Sequence, residues 1–206
     1  MSDDIKTILV LSSFCSGSTA VTGFLEQCGA YACPPLTATN DPLTPSAKEP
    51  VEYRNALVSC IDELSLRKQK PGSVFLEFFI KWHPVQLSKA AEVGSKAIVL
   101  KHPLQAFFLD EIFTVCDPRL VVVHRPFNKI EATRLRRNWY AVYGREGARV
   151  IYNALYAKLH ETSKSHISIP YESFLGDLGI QGDLLSFCSI SPTPAELAEA
   201  RKFLRV

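Results

Sequence analysis

Three short runs, residues 7–11, 96–100 and 119–123, are apolar at almost every position (T-I-L-V-L, K-A-I-V-L and R-L-V-V-V). Strict alternation of apolar and polar residues would mark strands with one wet face. Continuous runs of this length mark strands buried on both faces, which is the habit of parallel sheets. Segments with helical spacing follow them, at 19–28, 104–115 and 127–143. Short strands alternating with helices predict parallel β-α-β units, and so a three-layer α/β/α domain around a central, mostly parallel sheet. Residues 74–80 and 166–169 read as further strands. Residues 51–68, 146–160, 171–175, 182–187 and 193–204 read as further helices. Residues 31–50, rich in Pro, Thr, Asn and Asp, read as a long loop of the kind that is usually functional or disordered. No linker divides the chain, so 1–206 is expected to be one domain. In open parallel sheets ligands bind beyond the carboxyl ends of the strands. The places to inspect are therefore the segments after Leu11, Ile80, Leu100 and Val123.

Composition narrows the function classes. The chain has 206 residues, 47% hydrophobic and 21% charged, enough to build a core without disulfides or metal. Its 23 basic and 21 acidic side chains leave a formal charge of +2. That excludes a histone-like or non-specific nucleic-acid binder but not a local anion site. The six cysteines are scattered, with no C-x-x-C pair and no zinc-ligand spacing, so reduced thiols and no metal are expected. The acidic start and the absence of an apolar run of roughly 18 residues predict a cytoplasmic protein with no membrane segment.

The segment after the first strand, Ser12-Ser13-Phe14-Cys15-Ser16-Gly17-Ser18-Thr19, runs into a helix. Small residues let the backbone approach an anion, and N–H groups at a helix start, with nearby hydroxyls, supply donors to a phosphate. A Ser/Thr-rich cap with no ligand is the competing reading. The Walker pattern G-x-x-x-x-G-K-S/T is absent, which weighs against an ordinary ATP or GTP site. Cys15 at a helix start also fits a thiolate nucleophile. The arginine that would close such a loop around phosphate falls at Val21, however.

The strand at 119–123 ends in His124-Arg125-Pro126, and the helix behind it carries Thr133, Arg134, Arg136 and Arg137. An Arg at a strand's carboxyl end suits a second phosphate, because guanidinium grips phosphate with a bidentate fork. Thr133 can bring a hydroxyl to the same spot. Arg134, Arg136 and Arg137 read as a solvated helix face.

In order along the chain, these segments resemble the sulfotransferase family that uses 3′-phosphoadenosine 5′-phosphosulfate (PAPS). S-S-F-C-S-G-S-T-A-V at 12–21 is similar to that family's 5′-phosphosulfate loop, roughly P-K/R-S-G-T-T/S. R-L-V-V-V-H-R-P at 119–126, running on to Thr133 and Arg136-Arg137-Asn138, is similar to its 3′-phosphate motif. Residues 98–103 (I-V-L-K-H-P) are similar to the K-D-P step of bacterial members. Residues 169–175 (I-P-Y-E-S-F-L) are similar to the R-Y-E-D-L segment, and 52–57 to a Glu-bearing helix start. The resemblance implies a P-loop-like sulfotransferase architecture, PAPS as sulfate donor, no metal, and a small-molecule acceptor, since the chain is short for the family. It implies a 5′ site made from Cys15, Ser16, Gly17, Ser18, Thr19 and Ala20. It also implies a 3′ site made from Arg125 and Thr133.

Two departures bear on chemistry. The family's loop Lys or Arg, which neutralises the bridging oxygen as sulfate leaves, is replaced by Cys15; Lys101 is the candidate substitute. The spacing before Pro126 is one residue short, so His124 and Arg125 compete as the 3′-phosphate ligand; the R-R-N that follows favours Arg125. For the base that deprotonates the acceptor, the candidates are His83 on an expected strand end, then Glu52, then His102. The alternative class is a nucleotide-binding or interaction module on the same fold with impaired chemistry, with Cys15 as the feature in its favour.

Overall fold

A computed structural model describes residues 5–204; the ends of the expected 1–206 unit, 1–4 and 205–206, lie outside the described residues. The order is β1 (Lys6–Leu11), α1 (Ser18–Gln27), β2 (Leu36–Ala38), β3 (Ser46–Pro50), α2 (Val51–Cys60), β4 (Ile61–Asp62), β5 (Arg67–Lys68), α3 (Gly72–Glu92) and β6 (Ala97–Lys101). A 3-10 turn (Pro103–Phe107) follows, then α4 (Leu109–Val115), β7 (Arg119–His124), α5 (Phe127–Arg136) and a second 3-10 turn (Ala141–Tyr143). The chain finishes with α6 (Arg145–Thr162), β8 (His166–Pro170), α7 (Tyr171–Phe174), α8 (Leu178–Cys188) and α9 (Pro194–Phe203).

Four strands form the central sheet in the order β6-β1-β7-β8, parallel throughout. Leu9 pairs with Leu100 on one side and Leu120 on the other. Because side chains alternate along a strand, Leu9, Leu11, Ile98, Leu100, Leu120 and Val122 face one layer. There they meet Tyr53, Phe75, Phe79, Ile112, Ile130 and Ile151, from α2 to α6. Ile8, Val10, Val99, Val121, Val123 and Ile169 face the other, against Phe24, Phe174, Leu184 and Ala200 from α1, α7, α8 and α9. Covering on both faces is why these strands read as unbroken apolar runs. Each fully buried Phe contributes roughly 1.5–3 kcal/mol of burial, and four of them (Phe24, Phe75, Phe79, Phe174) bracket the sheet at 0% exposure.

Several expected elements are corrected. Residues 74–80 belong to helix α3, not a strand: Phe75, Phe79, Trp82, His83, Gln86 and Ala90 are its buried residues, a spacing of three and four that only a helix places on one side. Pro84 sits inside that helix, where it removes a backbone donor without ending it. The helix expected over 51–68 stops at Cys60. Asp62 Oδ1 then accepts the Leu64 and Ser65 N–H groups at 2.8 and 3.3 Å and turns the chain into the β4–β5 hairpin. Asn138, with φ 52, ends α5 well before the expected 143. The stretch 31–50 contains the antiparallel β2–β3 hairpin and is not a structureless loop.

The path of the chain locates a crevice. From β1 it turns into α1 on one face of the sheet, and from β7 into α5 on the other. β1 and β7 are hydrogen-bonded neighbours, so their carboxyl ends form the switch point at which open parallel sheets bind ligands.

Candidate functional site

The segment after β1 enters the crevice through two left-handed residues, Cys15 (φ 57) and Gly17 (φ 90). Ser16 Oγ donates to the Ser13 carbonyl at 2.7 Å, which curls the turn. Gly17 precedes α1 and provides no side-chain cap, so the first-turn N–H groups have no side-chain acceptor and the positive helix end stays open. Glycine is required here twice over. The φ is unfavourable for other residues, and a Cβ would stand 2.1 Å from Tyr171 Cδ2. At the root of the segment, the Ser12 hydroxyl is buried with no hydrogen-bond partner.

Arg125 reaches this turn from β7. Its Nη1 donates to the Thr133 hydroxyl at 2.8 Å and to the Cys15 carbonyl at 3.3 Å. Its Nε donates to Glu172 Oε1 at 2.7 Å, and the guanidinium lies over the Tyr171 ring at 5.0 Å. The structure thus joins Arg125, Thr133 and the 12–17 turn, three pieces far apart in sequence. His124, the competing ligand, leaves Nδ1 buried and without a partner.

Lys101, the expected substitute cation, is an ion-paired residue in the structure. It is 5% exposed, and its ammonium donates to Glu49 Oε1 at 2.7 Å, to the Ala47 carbonyl at 3.1 Å and to the Thr19 hydroxyl at 3.4 Å. It stands beside the first turn of α1, but Glu49 cancels its charge. Burial pushes the Glu49 carboxyl up, yet the Lys101 ammonium and its hydrogen bond, together with His102 and Arg54, outweigh it and the net direction is down. Glu49 is therefore ionised. His102 Nδ1 accepts the Leu104 N–H at 3.2 Å, which puts the ring proton on Nε2, 3.8 Å from Glu49 Oε2. Burial lowers His102 to about 4, so it is neutral. Burial raises the Cys15 thiol, against the opposing pull of Arg137, Arg125, Lys101 and Arg136. Four cations surround the turn while the thiol keeps its proton, so Cys15 is not poised as a nucleophile.

Of the other two expected bases, His83 lies away from the crevice. His83 is in the body of α3, and its Nε2 meets the Thr7 hydroxyl at 2.8 Å. Thr7 is near the amino end of β1, roughly 16 Å from the crevice by strand rise. The expectation failed because it required a strand end at 80. Glu52, in the first turn of α2, accepts the Trp82 indole N–H at 2.7 Å.

Three contributors escaped the sequence reading: Glu49, Glu172 and the Asp41–Arg137 pair. Arg137 is not part of a solvated face. Its side chain is 15% exposed and its Nε donates to Asp41 Oδ2 at 2.6 Å. Arg136 shares the same carboxylate at 3.1 Å. Hydrogen bonding from Arg136 is the leading cause that holds Asp41 down at about 2. None of these contacts leaves a local sequence signal, because the partners are some fifty to a hundred residues apart.

Beyond the turn, Phe14 packs edge-on against Tyr143 at 4.7 Å. Next to Tyr143, an apolar groove of about 390 Å³ opens between the β4–β5 hairpin and α6, lined by Leu64, Leu66, Tyr140, Val142 and Val150. Among the described residues, no helix is long and apolar enough to cross a membrane. No protein-family model matches the chain, and a search of curated proteins found none significantly similar to it.

Proposed function

We propose that the crevice between β1 and β7 binds PAPS on a P-loop-like sulfotransferase architecture, and that the chain transfers the sulfuryl group to a small-molecule acceptor. The observation that carries this reading is the meeting of Arg125, Thr133 and the Cys15 carbonyl at 2.8 and 3.3 Å. It supports the reading because a guanidinium, which can grip phosphate with two bonds, and a helical hydroxyl lie together beside the start of α1. In this reading the N–H groups of residues 16–20, with the Ser18 and Thr19 hydroxyls, take the 5′-phosphosulfate. Arg125 and Thr133 take the 3′-phosphate once Glu172 has moved aside.

Transfer breaks the bond between sulfur and the bridging oxygen and forms one from sulfur to the acceptor. Positioning and electrostatics do most of the work, as in phosphoryl transfer. Glu49 takes the base role that His83 and His102 leave open, with Glu52 the remaining competitor. It is ionised, its Oε1 is engaged by Lys101, and its Oε2 has no hydrogen-bond donor among the described residues, with His102 Nε2 at 3.8 Å. The groove beside Tyr143 is of a size that suits the body of a small acceptor.

The neutralised Lys101 and the thiol at Cys15 favour a second reading, a nucleotide-binding module without turnover. The separating test is a thermal melt with 3′-phosphoadenosine 5′-phosphate. At about 100 times Kd, linkage gives roughly 2.7 kcal/mol, a rise of about 5–10 °C for a domain of this size. No rise with this nucleotide but a rise with ATP overturns the PAPS reading. A rise without sulfate transfer, in an acceptor screen by mass spectrometry, selects the second.

A further inference from the structure

Arg137 follows Thr133 by one helical turn, its N–H bonded to the Thr133 carbonyl at 3.1 Å, so the two side chains share a face. Thr133 is bonded to Arg125, and Arg125 to the Cys15 carbonyl. The Arg137 guanidinium is fixed on three sides. Nε is on Asp41 at 2.6 Å, Nη2 on the Thr44 hydroxyl at 2.9 Å, and its flat face over Trp139 at 4.6 Å. Nη1 has no protein acceptor among the described residues.

Asp41 and Thr44 belong to the turn of the β2–β3 hairpin. A few residues on, the Ala47 carbonyl of the same hairpin accepts the Thr19 hydroxyl from the first turn of α1. The hairpin therefore ties Arg137 to the start of α1 across the 12–17 turn. Two arginines share the single Asp41 carboxylate, which leaves one positive charge unmatched. Lys101 has no such excess, being neutralised by Glu49. Of the four cations bearing on the Cys15 thiol, Arg137 acts most strongly.

We propose that Arg137, held by Asp41 and Thr44, supplies the cation for the 5′ end of the nucleotide in place of the loop Lys or Arg that Cys15 replaces. This rests on the PAPS reading. Nη1 donates to an oxygen of the 5′ group, while Arg125 serves the 3′-phosphate, so the two arginines divide the nucleotide between them.

The division is read by calorimetric titration with 5′-AMP, 3′-AMP and 3′-phosphoadenosine 5′-phosphate. Loss of one charge-assisted contact predicts that Arg137→Ala weakens 5′-AMP and the bisphosphate by roughly 10- to 100-fold, and leaves 3′-AMP within about twofold. Arg137→Lys, which keeps the charge and most of the fold's contacts, recovers part of the loss. Arg136→Ala loosens the same hairpin contact and removes the surplus charge but keeps Nη1 in place, so it should weaken 5′-AMP and the bisphosphate far less than Arg137→Ala does and leave 3′-AMP nearly unchanged. Equal losses for 5′-AMP and 3′-AMP, a matching loss in Arg136→Ala, or no loss in Arg137→Ala overturns the assignment. Wild-type protein that binds none of the three overturns the PAPS reading itself, whereas wild-type binding untouched by Arg137→Ala overturns only the role given to Arg137.

Discussion

Replacing Lys101 by Met keeps the aliphatic stem and removes the ammonium. Glu49, 7% exposed, is then a buried carboxylate without its hydrogen-bonded cation, and the Ala47 carbonyl and Thr19 hydroxyl lose their shared donor. Breaking a buried pair by removing one partner costs about 3–5 kcal/mol, because the remaining charge is left unsolvated. With roughly 2.1 cal/mol/K of unfolding entropy per residue, a chain of 206 residues loses about 7–12 °C of Tm. Removing both charges, as Lys101→Met with Glu49→Leu, should recover most of that. Differential scanning calorimetry at pH 7 measures both.

The pH dependence adds a sign. In the wild type the Glu49 carboxyl lies below its ordinary value. Its contribution is present above the ordinary carboxylate range and fades as pH falls through the folded value. Without Lys101, burial, the largest cause, is opposed only by His102 and Arg54; the carboxyl then moves up, so the variant gains by protonation as pH falls. The gap between wild type and Lys101→Met should therefore narrow from pH 7 toward pH 4. A Tm change under about 2 °C, or a gap that widens in acid, would refute the buried-pair account.

Two further outcomes follow from the geometry. Burial holds His83 at about 4 against an ordinary 6.5; a folded value below the unfolded one gives stability that is complete above about 6.5 and declines toward 4. His83→Gln should flatten the acid limb of a Tm–pH profile in that window, and an unchanged profile would show that His83 is solvated. Gly17→Ala should cost about 1–3 kcal/mol in urea unfolding, because its φ is 90° and the new methyl meets Tyr171. Gly17→Ala with Tyr171→Ala should recover the steric part but not the backbone part, and full recovery would show that the left-handed conformation is not strained.

The parallel strands were legible because burial on both faces leaves V-V-V and I-L-V-L with no alternation. Helix α3 was misread because Val74-Phe75-Leu76-Glu77-Phe78-Phe79-Ile80 is a short apolar run, and short runs fit either a strand or a buried helix. Only the continuation to Trp82, His83, Gln86 and Ala90 on the buried side decides, and Pro84 hides that continuation. With the strand went the placing of His83. The meeting of Arg125, Thr133 and the 12–17 turn was legible because the turn and Arg125 each follow a strand end and Thr133 lies on the helix that begins just after Arg125. Glu49 was not, although it lies three residues from Glu52, because only the pairing of β3 with β2 and the seat of Lys101 reveal what it does. Asp41 and Glu172 were hidden for the same reason: a carboxylate acquires meaning from the arginine opposite it.

The Arg125–Glu172 contact carries one more consequence. The Glu172 side chain is 42% exposed, and an ion pair that open contributes about 0–1 kcal/mol. It is strong enough to keep the guanidinium aimed at the crevice and weak enough to yield. Glu172 behaves as a tethered competitor, present beside Arg125 at an effective concentration of order millimolar or above. An anion with one charge and one contact gains little by exchanging with it, whereas a phosphate with two charges and a fork of two bonds gains on both counts. An unpaired Arg125 would collect chloride and stray carboxylates; if Arg125 binds a phosphate as proposed, the Glu172 contact selects by charge number, at a loss of at most about fivefold in affinity.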